Sequence, residues 1–452
     1  MFEEEIILKK LKNKIFLNIF DDVINYHDDE VVLKRQRKIK FIYNKKRLFL
    51  AKVFLKNKFL FLIINFLYAL VILLKRVTIF YRNISKVKIL FVTKTQNQYD
   101  SLLPYYNLIN DSSSIFYTCD KQIKTIKTIK TIKTGKIKIS VIEFFELLNN
   151  YFKYLPVIYK QRMRNELYAF DIFLLPINIC YYYYFLRKTN VKKIFISSEQ
   201  DIETFIFKEL SKLLNIKIYY VQHASIGTGL ASNPLSYDIS FLDSQDTYDT
   251  YHKIGINDKR NVILVGAKKY LGKTKKIKSL QLKNIKIIGI SIGSTFNKES
   301  LKNYISVLIK ENNDRITFII RQHPGKDIEE YYLEEDTLKA LNINIIYQDS
   351  KKNDIQSYIN AIDINISSVS SVHLDILNYG KISLFFNPFN EDDIYKFVSK
   401  GLIKEIKSLN DINQDSLNFY VQTEYIKIMK YFNFNYLEEE SVINKKILNA
   451  IK

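Results

Sequence analysis

A basic cluster is the first set of residues whose types and spacing could do chemistry. Arg321-Gln322-His323-Pro324-Gly325-Lys326 directly follows the apolar run Thr-Phe-Ile-Ile. Arginine offers a planar fork of N–H donors, lysine a point charge, and histidine either a neutral donor or a cation. This set suits a phosphate or pyrophosphate, and Pro324 fixes the chain direction at the turn. The alternative interpretation is a solvated basic loop.

A serine-rich cluster, Ser367-Ser368-Val369-Ser370-Ser371, lies between an apolar run and a predicted helix. Hydroxyls at a helix start cap its free N–H groups, and an anion can bind at the same end. The two roles are compatible for Ser370 and Ser371. Asp375 lies one turn into the helix. It could bind a ribose hydroxyl or pair with a neighbouring lysine.

A weaker cluster, Gly293-Ser294-Thr295, follows the first apolar run of a second strand and helix series. A lone Gly-Ser-Thr is common. Its position in a first strand-to-helix loop favours phosphate binding by Ser294 and Thr295, because phosphates often approach such loops.

The candidates for a catalytic base lie earlier in the chain. His223 follows an apolar run and precedes a glycine-containing loop, where a histidine can act as a general base near neutral pH. The alternative is a core histidine held by a backbone partner. Glu199 and Asp201, after the preceding apolar run, are the second candidate. Three of the five histidines, His223, His323 and His373, fall at predicted strand ends or helix starts, which favours function.

The elements that must position these residues alternate between strand and helix. Short apolar runs, each followed by a polar loop and a helical pattern, recur over 86–267 and again over 285–400. Such alternation predicts parallel sheets. We therefore predict an α/β fold with two Rossmann-like domains facing across a cleft, joined by a linker at 268–284. Ligands of such sheets bind outside the carboxyl ends of the strands.

The two ends of the chain have a different character. Residues 1–85 are basic and hydrophobic and are predicted to be helical; they contain the apolar run Phe59–Leu74 with lysines on both sides. This run is slightly shorter than the ~20 apolar residues of a membrane-spanning helix. It predicts either an interfacial helix beside anionic headgroups or a buried core helix. Residues 401–452 are predicted to be helical, and the Ile-Lys-Thr repeat at 123–134 a surface loop.

Composition excludes several classes of protein. The 452 residues are 47% hydrophobic and 26% charged, which excludes a largely disordered chain. Two cysteines cannot build a disulfide framework or a four-thiolate zinc site, so we expect a reduced, cytoplasmic compartment. The net charge of +22 is weak support for an anionic partner, because the abundant lysine, isoleucine and asparagine also have AT-rich codons. Walker, HExxH, CxxC and nucleic-acid-binding motifs are missing from the sequence.

In this order, the clusters resemble those of two-domain, GT-B-like transferases of bacterial surface polymers. The stretch 370–386, SSVHLDILNYGKISLFF, is similar to the Ser-Ser, acid and Gly-Lys pattern of the CDP-glycerol glycerophosphotransferases. The sialyltransferases and polysialyltransferases share His-Pro and Ser-Ser motifs, which match His323-Pro324 and Ser370-Ser371. The resemblance implies that both motifs contact donor phosphates, that Asp375 is the family's acid, and that His223 lies at the mouth of an acceptor domain.

Two departures leave the base open between His223 and the acids. Ala224 stands where the teichoic type has glycine, and Ser198-Glu199-Gln200-Asp201 lacks the glycine of the sialyl type.

The resemblance implies a transferase that needs no metal and no cofactor. Domain 86–267 would bind a glycan or lipid-linked acceptor, and domain 285–400 a nucleotide-sugar donor, with a cytidine nucleotide favoured. The product would be a surface polysaccharide, capsule or lipooligosaccharide, extended by a sugar or polyol phosphate. We expect no nucleic-acid partner, and a location peripheral to the inner face of the cytoplasmic membrane. The alternatives are a nucleotide-sugar epimerase of the same fold and a non-enzymatic, basic membrane- or RNA-binding protein.

Overall fold

A computed structural model describes most of the second half of the chain and parts of the first. The described residues are 18, 87–118, 131–133, 149, 175–198, 201–223, 235, 237–253, 261–293, 296–309, 316–323 and 325–452. The apolar run Phe59–Leu74 and most of the Ile-Lys-Thr repeat lie outside them. Within the described part, no helix is long and apolar enough to cross a membrane.

The chain forms two compact units. The described residues up to His223, with 237–241 and 261–263, belong to the first unit. Residues 242–253 and the described residues from 264 onward belong to the second.

The first sheet has seven strands in the order β3-β2-β1-β4-β5-β6-β7, and the pairs from β3 to β6 are parallel. The central pair joins distant parts of the chain, with Ile89 of β1 opposite Lys193 of β4. The strands are β1 (Ile89–Thr93), β2 (Ser114–Thr118), β3 (Thr131–Lys133), β4 (Lys193–Ile196), β5 (Lys217–Val221), β6 (Ile239–Leu242) and β7 (Val262–Leu264).

Three described helices accompany the strands of the first unit. They are Gln96–Ile109, Leu175–Thr189 and Ile202–Leu214. The first begins at a capping box, in which the Thr95 hydroxyl accepts from the Gln98 N–H and the Gln98 side chain accepts from the Thr95 N–H. It ends at Asn110 in the left-handed conformation, which asparagine adopts more readily than most residues.

An aromatic row forms the core of the first sheet. Phe91 stacks on Phe195 with 4.8 Å between ring centroids, and Phe195 stacks on Tyr219 at 4.6 Å. Phe116 and Phe241 extend the row to β2 and β6, and all five side chains are fully buried. Aromatic residues make up 14% of the chain, and these five form part of the hydrophobic core of the first unit.

The second sheet has six strands in the order β10-β9-β8-β11-β12-β13, and all its neighbours are parallel. Its strands are β8 (Ile287–Ser291), β9 (Thr317–Arg321), β10 (Asn344–Gln348), β11 (Ile364–Ser367), β12 (Ile382–Phe386) and β13 (Lys404–Ile406). The helices of the second unit are Gln245–Lys253, Lys298–Leu308, Glu335–Ala340, Ile355–Ala361, Val372–Asn378, Gln414–Asn418, Thr423–Phe432 and Glu440–Ile451.

Gly289 in β8 leaves room for a tyrosine. A Cβ added at Gly289 would lie 2.4 Å from the Tyr358 hydroxyl, far inside van der Waals contact. Because glycine has no Cβ, the Tyr358 side chain packs directly on the backbone of this central strand.

The predicted α/β class with two Rossmann-like units is confirmed. In each sheet the chain runs outward from a central strand in one direction and then in the other, as in a doubly wound sheet. This is the domain content of a GT-B-like fold.

Four local details differ from the prediction. Thr131–Lys133, part of the repeat at 123–134 that is predicted to be a surface loop, form the edge strand β3. The sequence pattern at 327–341 predicts one helix, whereas the structure has a 3-10 turn, Ile328–Tyr331, and a short helix, Glu335–Ala340. Residues 268–284, expected to be a linker, bury Tyr270, Leu271 and Ile277. The C-terminal region predicted to be helical also supplies the edge strand β13.

Candidate functional site

Three loops leave the same edge of the second sheet. Ser291 at the end of β8 lies opposite Arg321 of β9 on one side and opposite Ser367 of β11 on the other. The residues that follow these three must therefore emerge at neighbouring points of the carboxyl edge. Strands that follow β8 are added on one side of it up to β10 and on its other side from β11 onward, and ligands bind at such a switch point in doubly wound sheets.

Arg321 is a buried cation anchored by protein groups. Its side chain donates from Nη1 to Gln348 Oε1 at 3.2 Å and from Nη2 to the Asn353 carbonyl at 3.0 Å. Its guanidinium carbon lies 5.7 Å from the centre of the Tyr358 ring. Burial lowers the pKa of Arg321, but a guanidinium stays charged in proteins. Arg321 therefore contributes a fixed positive charge at the edge.

His323 is exposed and held in one tautomer. The Gly325 N–H donates to His323 Nδ1 at 3.0 Å, so Nδ1 carries no proton and the neutral ring bears its hydrogen on Nε2. Although the side chain is exposed to solvent, the surrounding protein partly desolvates the ring, and this lowers the pKa of His323 below its ordinary value. At neutral pH this side chain is a neutral Nε2–H donor. Pro324, which follows it, lies outside the described residues.

The serine loop is partly held by its own hydroxyls. Ser370 Oγ accepts from the Val372 N–H at 3.3 Å, and Ser371 precedes helix Val372–Asn378 without a side-chain cap. Both serines are half-buried. Because this helix has only 7 residues, the groups of this loop suited to an anion are the hydroxyls, and a helix dipole is not invoked. Ser294 and Thr295 of the neighbouring loop lie outside the described residues.

Asp375 pairs with a lysine, which is one of its two predicted roles. It accepts from Lys269 Nζ at 3.0 Å and from the Tyr270 hydroxyl. Its side chain is 17% exposed, so little of the carboxylate remains for a ribose hydroxyl. The structure thus favours the structural alternative for Asp375.

The structure does not place His373 with the histidines that could contact a ligand. His373 is fully buried, with Nδ1 2.7 Å from Ser383 Oγ and Nε2 3.0 Å from the Ser368 carbonyl. Burial lowers its pKa to about 4, so the ring is neutral at physiological pH. The helix turns this residue back into the sheet, where it cannot reach a ligand.

The candidate bases of the first unit follow neighbouring strands. Asp201 follows β4 and His223 follows β5, and these strands pair with Ile196 opposite Tyr220. Both residues are half-buried. Glu199 lies outside the described residues, so the choice between histidine and acid stays a prediction.

Asp201 is tied to the loop after β1. It accepts from Gln98 Nε2 at 3.0 Å and lies 3.4 Å from Lys94 Nζ. Glu203, which the sequence analysis did not single out, pairs with the same lysine at 3.1 Å. The sequence signal that could have pointed to this cluster is the polar stretch Thr-Lys-Thr-Gln-Asn-Gln at the end of β1. In the first sheet, too, the order of strands switches sides at β1.

No group of three or more His, Cys, Asp or Glu side chains suited to a metal ion occurs among the described residues. Metal independence stays a prediction of the resemblance.

No protein-family model matches this chain, and no curated protein matches it. Solved structures resemble it at low identity. UDP-GlcNAc 2-epimerase from Neisseria meningitidis, bound to UDP-GlcNAc, is 14% identical with a TM-score of 0.45, over 81% of this chain and 99% of the other. MurG from Acinetobacter baumannii is 10% identical with a TM-score of 0.42, over 80% and 99%. The calicheamicin glycosyltransferase CalG4 is 9% identical with a TM-score of 0.48, over 81% and 98%. Since these scores lie below 0.5, the fold assignment rests on the strand order described above.

Proposed function

We propose that the second unit binds the phosphates of a nucleotide-activated donor at the carboxyl edge of its sheet. One observation carries this proposal. Arg321, Ser291 and Ser367 end three neighbouring strands, so the polar loops that follow them start side by side, at the point where the order of strands in the sheet switches sides. A ligand in this position would meet donors from separate loops, which is how small sites fix the orientation of a ligand.

The chemistry of two of these loops, those after β9 and β11, suits an anion. His323 presents an Nε2–H, Ser370 and Ser371 present hydroxyls, and Arg321 adds a fixed positive charge. Hydrogen bonds to an ionised phosphate are stronger than those between neutral groups. Neutral donors held in place by the fold also lose little freedom when the ligand arrives.

We further propose that the protein is a glycosyltransferase-like enzyme with a cytidine nucleotide donor. The acceptor hydroxyl oxygen would form a bond to the transferred sugar or polyol phosphate, and the bond to the departing nucleotide would break. The acceptor proton would pass to His223, and the leaving nucleotide would keep the bonding electrons. Arg321 and His323 would stabilise the charge that develops on its phosphate.

The acceptor and location follow from the resemblance and from the N-terminal sequence. We propose a bacterial surface polysaccharide, capsule or lipooligosaccharide acceptor. The apolar run Phe59–Leu74, with lysines on both sides, would hold the enzyme at the inner face of the membrane.

Calorimetric titration of the full chain with CMP, CDP, UDP and GDP tests the proposal. We expect binding of cytidine nucleotides in the low- to mid-micromolar range, typical of substrate affinities. Absence of binding by all four would refute a nucleotide site, and a preference for UDP would refute the cytidine assignment.

Incubation with the sugar nucleotide alone separates the two enzyme classes. A transferase leaves most of the free donor unchanged until an acceptor is added, whereas an epimerase converts the sugar without any acceptor. Conversion without acceptor would replace the transferase by the epimerase alternative.

A further inference from the structure

A buried chain of hydrogen bonds runs beneath the serine loop. The Tyr358 hydroxyl donates to Asn365 Oδ1 at 2.8 Å, and Asn365 Nδ2 donates to Ser383 Oγ at 2.9 Å. Ser383 Oγ lies 2.7 Å from His373 Nδ1. All four residues have an exposure of 0%. These hydrogen bonds connect helix Ile355–Ala361, which carries Tyr358, to helix Val372–Asn378, which carries His373, by way of β11 and β12.

The direction of the hydrogen bonds fixes the tautomer of His373. A carbonyl oxygen can only accept, so the contact of 3.0 Å with Ser368 requires a hydrogen on Nε2. Nδ1 must then accept the Ser383 hydroxyl proton. This leaves Ser383 Oγ with lone pairs for the Asn365 amide. Each of these hydrogen bonds therefore has one donor and one acceptor, and only the His373 tautomer with its hydrogen on Nε2 satisfies all of them.

Two successive residues at the end of β11, Ser367 and Ser368, are held by hydrogen bonds to buried groups. Ser367 Oγ donates to the Ser291 carbonyl at 2.7 Å, and the next carbonyl, that of Ser368, accepts from His373. The backbone therefore leaves the sheet from a fixed point, two residues before Ser370.

We infer that His373 is a positioning residue that holds the loop 368–371 in the conformation that binds the donor diphosphate. This inference rests on the proposed function of the second unit. An apolar side chain at position 373 would leave the Ser368 carbonyl and the Ser383 hydroxyl buried without a partner. The loop would then turn its carbonyl toward water and carry the hydroxyls of Ser370 and Ser371 away from the edge.

The test compares His373→Leu with His373→Gln in the full chain. Leucine removes the hydrogen bond to Ser368, whereas the glutamine side-chain amide can still donate from a similar position. Calorimetry with CDP and with cytidine separates phosphate binding from binding of the nucleoside. We expect His373→Leu to weaken CDP binding about tenfold, the effect of losing roughly one hydrogen bond, with cytidine binding unchanged. His373→Gln should restore most of the CDP affinity.

Tyr420→Phe is the matched control for a purely structural effect. Tyr420 is nearly as buried as His373, and its hydroxyl donates to the Ser383 carbonyl and accepts from the Lys404 N–H. Both partners are backbone groups outside the serine loop and outside the side-chain hydrogen bonds described above. This variant should lower the melting temperature and leave both affinities unchanged. Ser383→Ala removes the hydroxyl that orients Nδ1 and that also accepts from the Asn365 amide, but it keeps the His373 ring. It should weaken CDP binding several-fold and serves if His373→Leu does not fold.

The outcomes separate the two claims. A wild-type chain that binds none of CMP, CDP, UDP and GDP refutes the proposed function, and this inference with it. A chain that binds CMP but not CDP refutes the inference alone, because the inference requires a diphosphate. Wild-type CDP binding that persists at full strength in His373→Leu and Ser383→Ala refutes the inference alone. Equal losses for CDP and cytidine also refute it, because they indicate general disruption of the unit.

Discussion

Replacement of His323 by alanine should weaken donor binding without unfolding the protein. The side chain is exposed, and its only described hydrogen bond is the one that Nδ1 accepts from Gly325. The Nε2–H is thus available for a phosphate oxygen. A hydrogen bond to a charged group contributes about 1.5–3 kcal/mol, which corresponds to a roughly 10- to 150-fold higher Kd in His323→Ala.

The pH dependence of binding reports the same side chain. Partial desolvation lowers the pKa of His323 below 6.5, so the ring is neutral above that value and affinity should be flat between about pH 7 and 8. As the pH falls through the lowered pKa, the ring gains a proton and should bind an anionic phosphate more tightly. His323→Ala should lose this increase at low pH.

Calorimetric titration with a nucleotide sugar is the suitable assay. Its phosphates are both esterified, so no second phosphate ionisation near pH 6 interferes with the profile. The control is His252→Ala, which removes an exposed histidine of the same unit from helix Gln245–Lys253. An unchanged Kd in His323→Ala, or an equal loss in His252→Ala, would refute the assignment of the His-Pro motif to donor phosphates.

Three further predictions address the base, the membrane and the second sheet. His223→Ala should lower kcat by about 10²–10⁴-fold with nucleotide Kd unchanged, and Asp201→Asn should cost much less in initial-rate assays; the reverse pattern would make an acid the base. The full chain should sediment with anionic vesicles at physiological salt, whereas a chain that begins at Lys86 should stay in solution and still bind nucleotide; equal behaviour would contradict the interfacial helix. Gly289→Ala should reduce the free energy of unfolding by roughly 1–3 kcal/mol in urea titration, because the added Cβ overlaps the Tyr358 hydroxyl; a wild-type curve would contradict the packing.

Local sequence patterns predicted most of the fold. The pattern at 202–214 predicts a helix, which is observed as Ile202–Leu214, because its apolar residues repeat at helical spacing up to the left-handed Asn215. Strands other than β2, β3 and β13 follow the apolar runs of the sequence to within a few residues, because fully buried parallel strands are apolar on both faces. Alternation of strand and helix predicts a parallel sheet whose strand-end loops share one edge, but the strand order that places these three loops side by side comes from the structure.

Side-chain partners could not be predicted in the same way. Asp375 bonds to Lys269 and Tyr270, more than 100 residues earlier in the chain, and no local pattern encodes that approach. His373 could not be placed for a related reason. Its partner Ser383 lies in the next strand, β12, within an apolar run. The sequence does not distinguish a polar residue that faces a ligand from one that faces another buried polar group.

The pairing of β1 with β4 has a consequence for how the first unit folds. Ile89 must meet Lys193, a contact between residues 104 positions apart, and closing a loop of that length costs roughly 4 kcal/mol of chain entropy. During synthesis, about a hundred further residues must therefore be translated after β1 before β4, one of its two neighbours in the sheet, is available to pair with it. Its apolar residues would meanwhile be open to other chains, and the unit should fold slowly, like other domains dominated by non-local strand pairs. Translation rate and chaperone access over this interval would then govern how much of the protein reaches its native state.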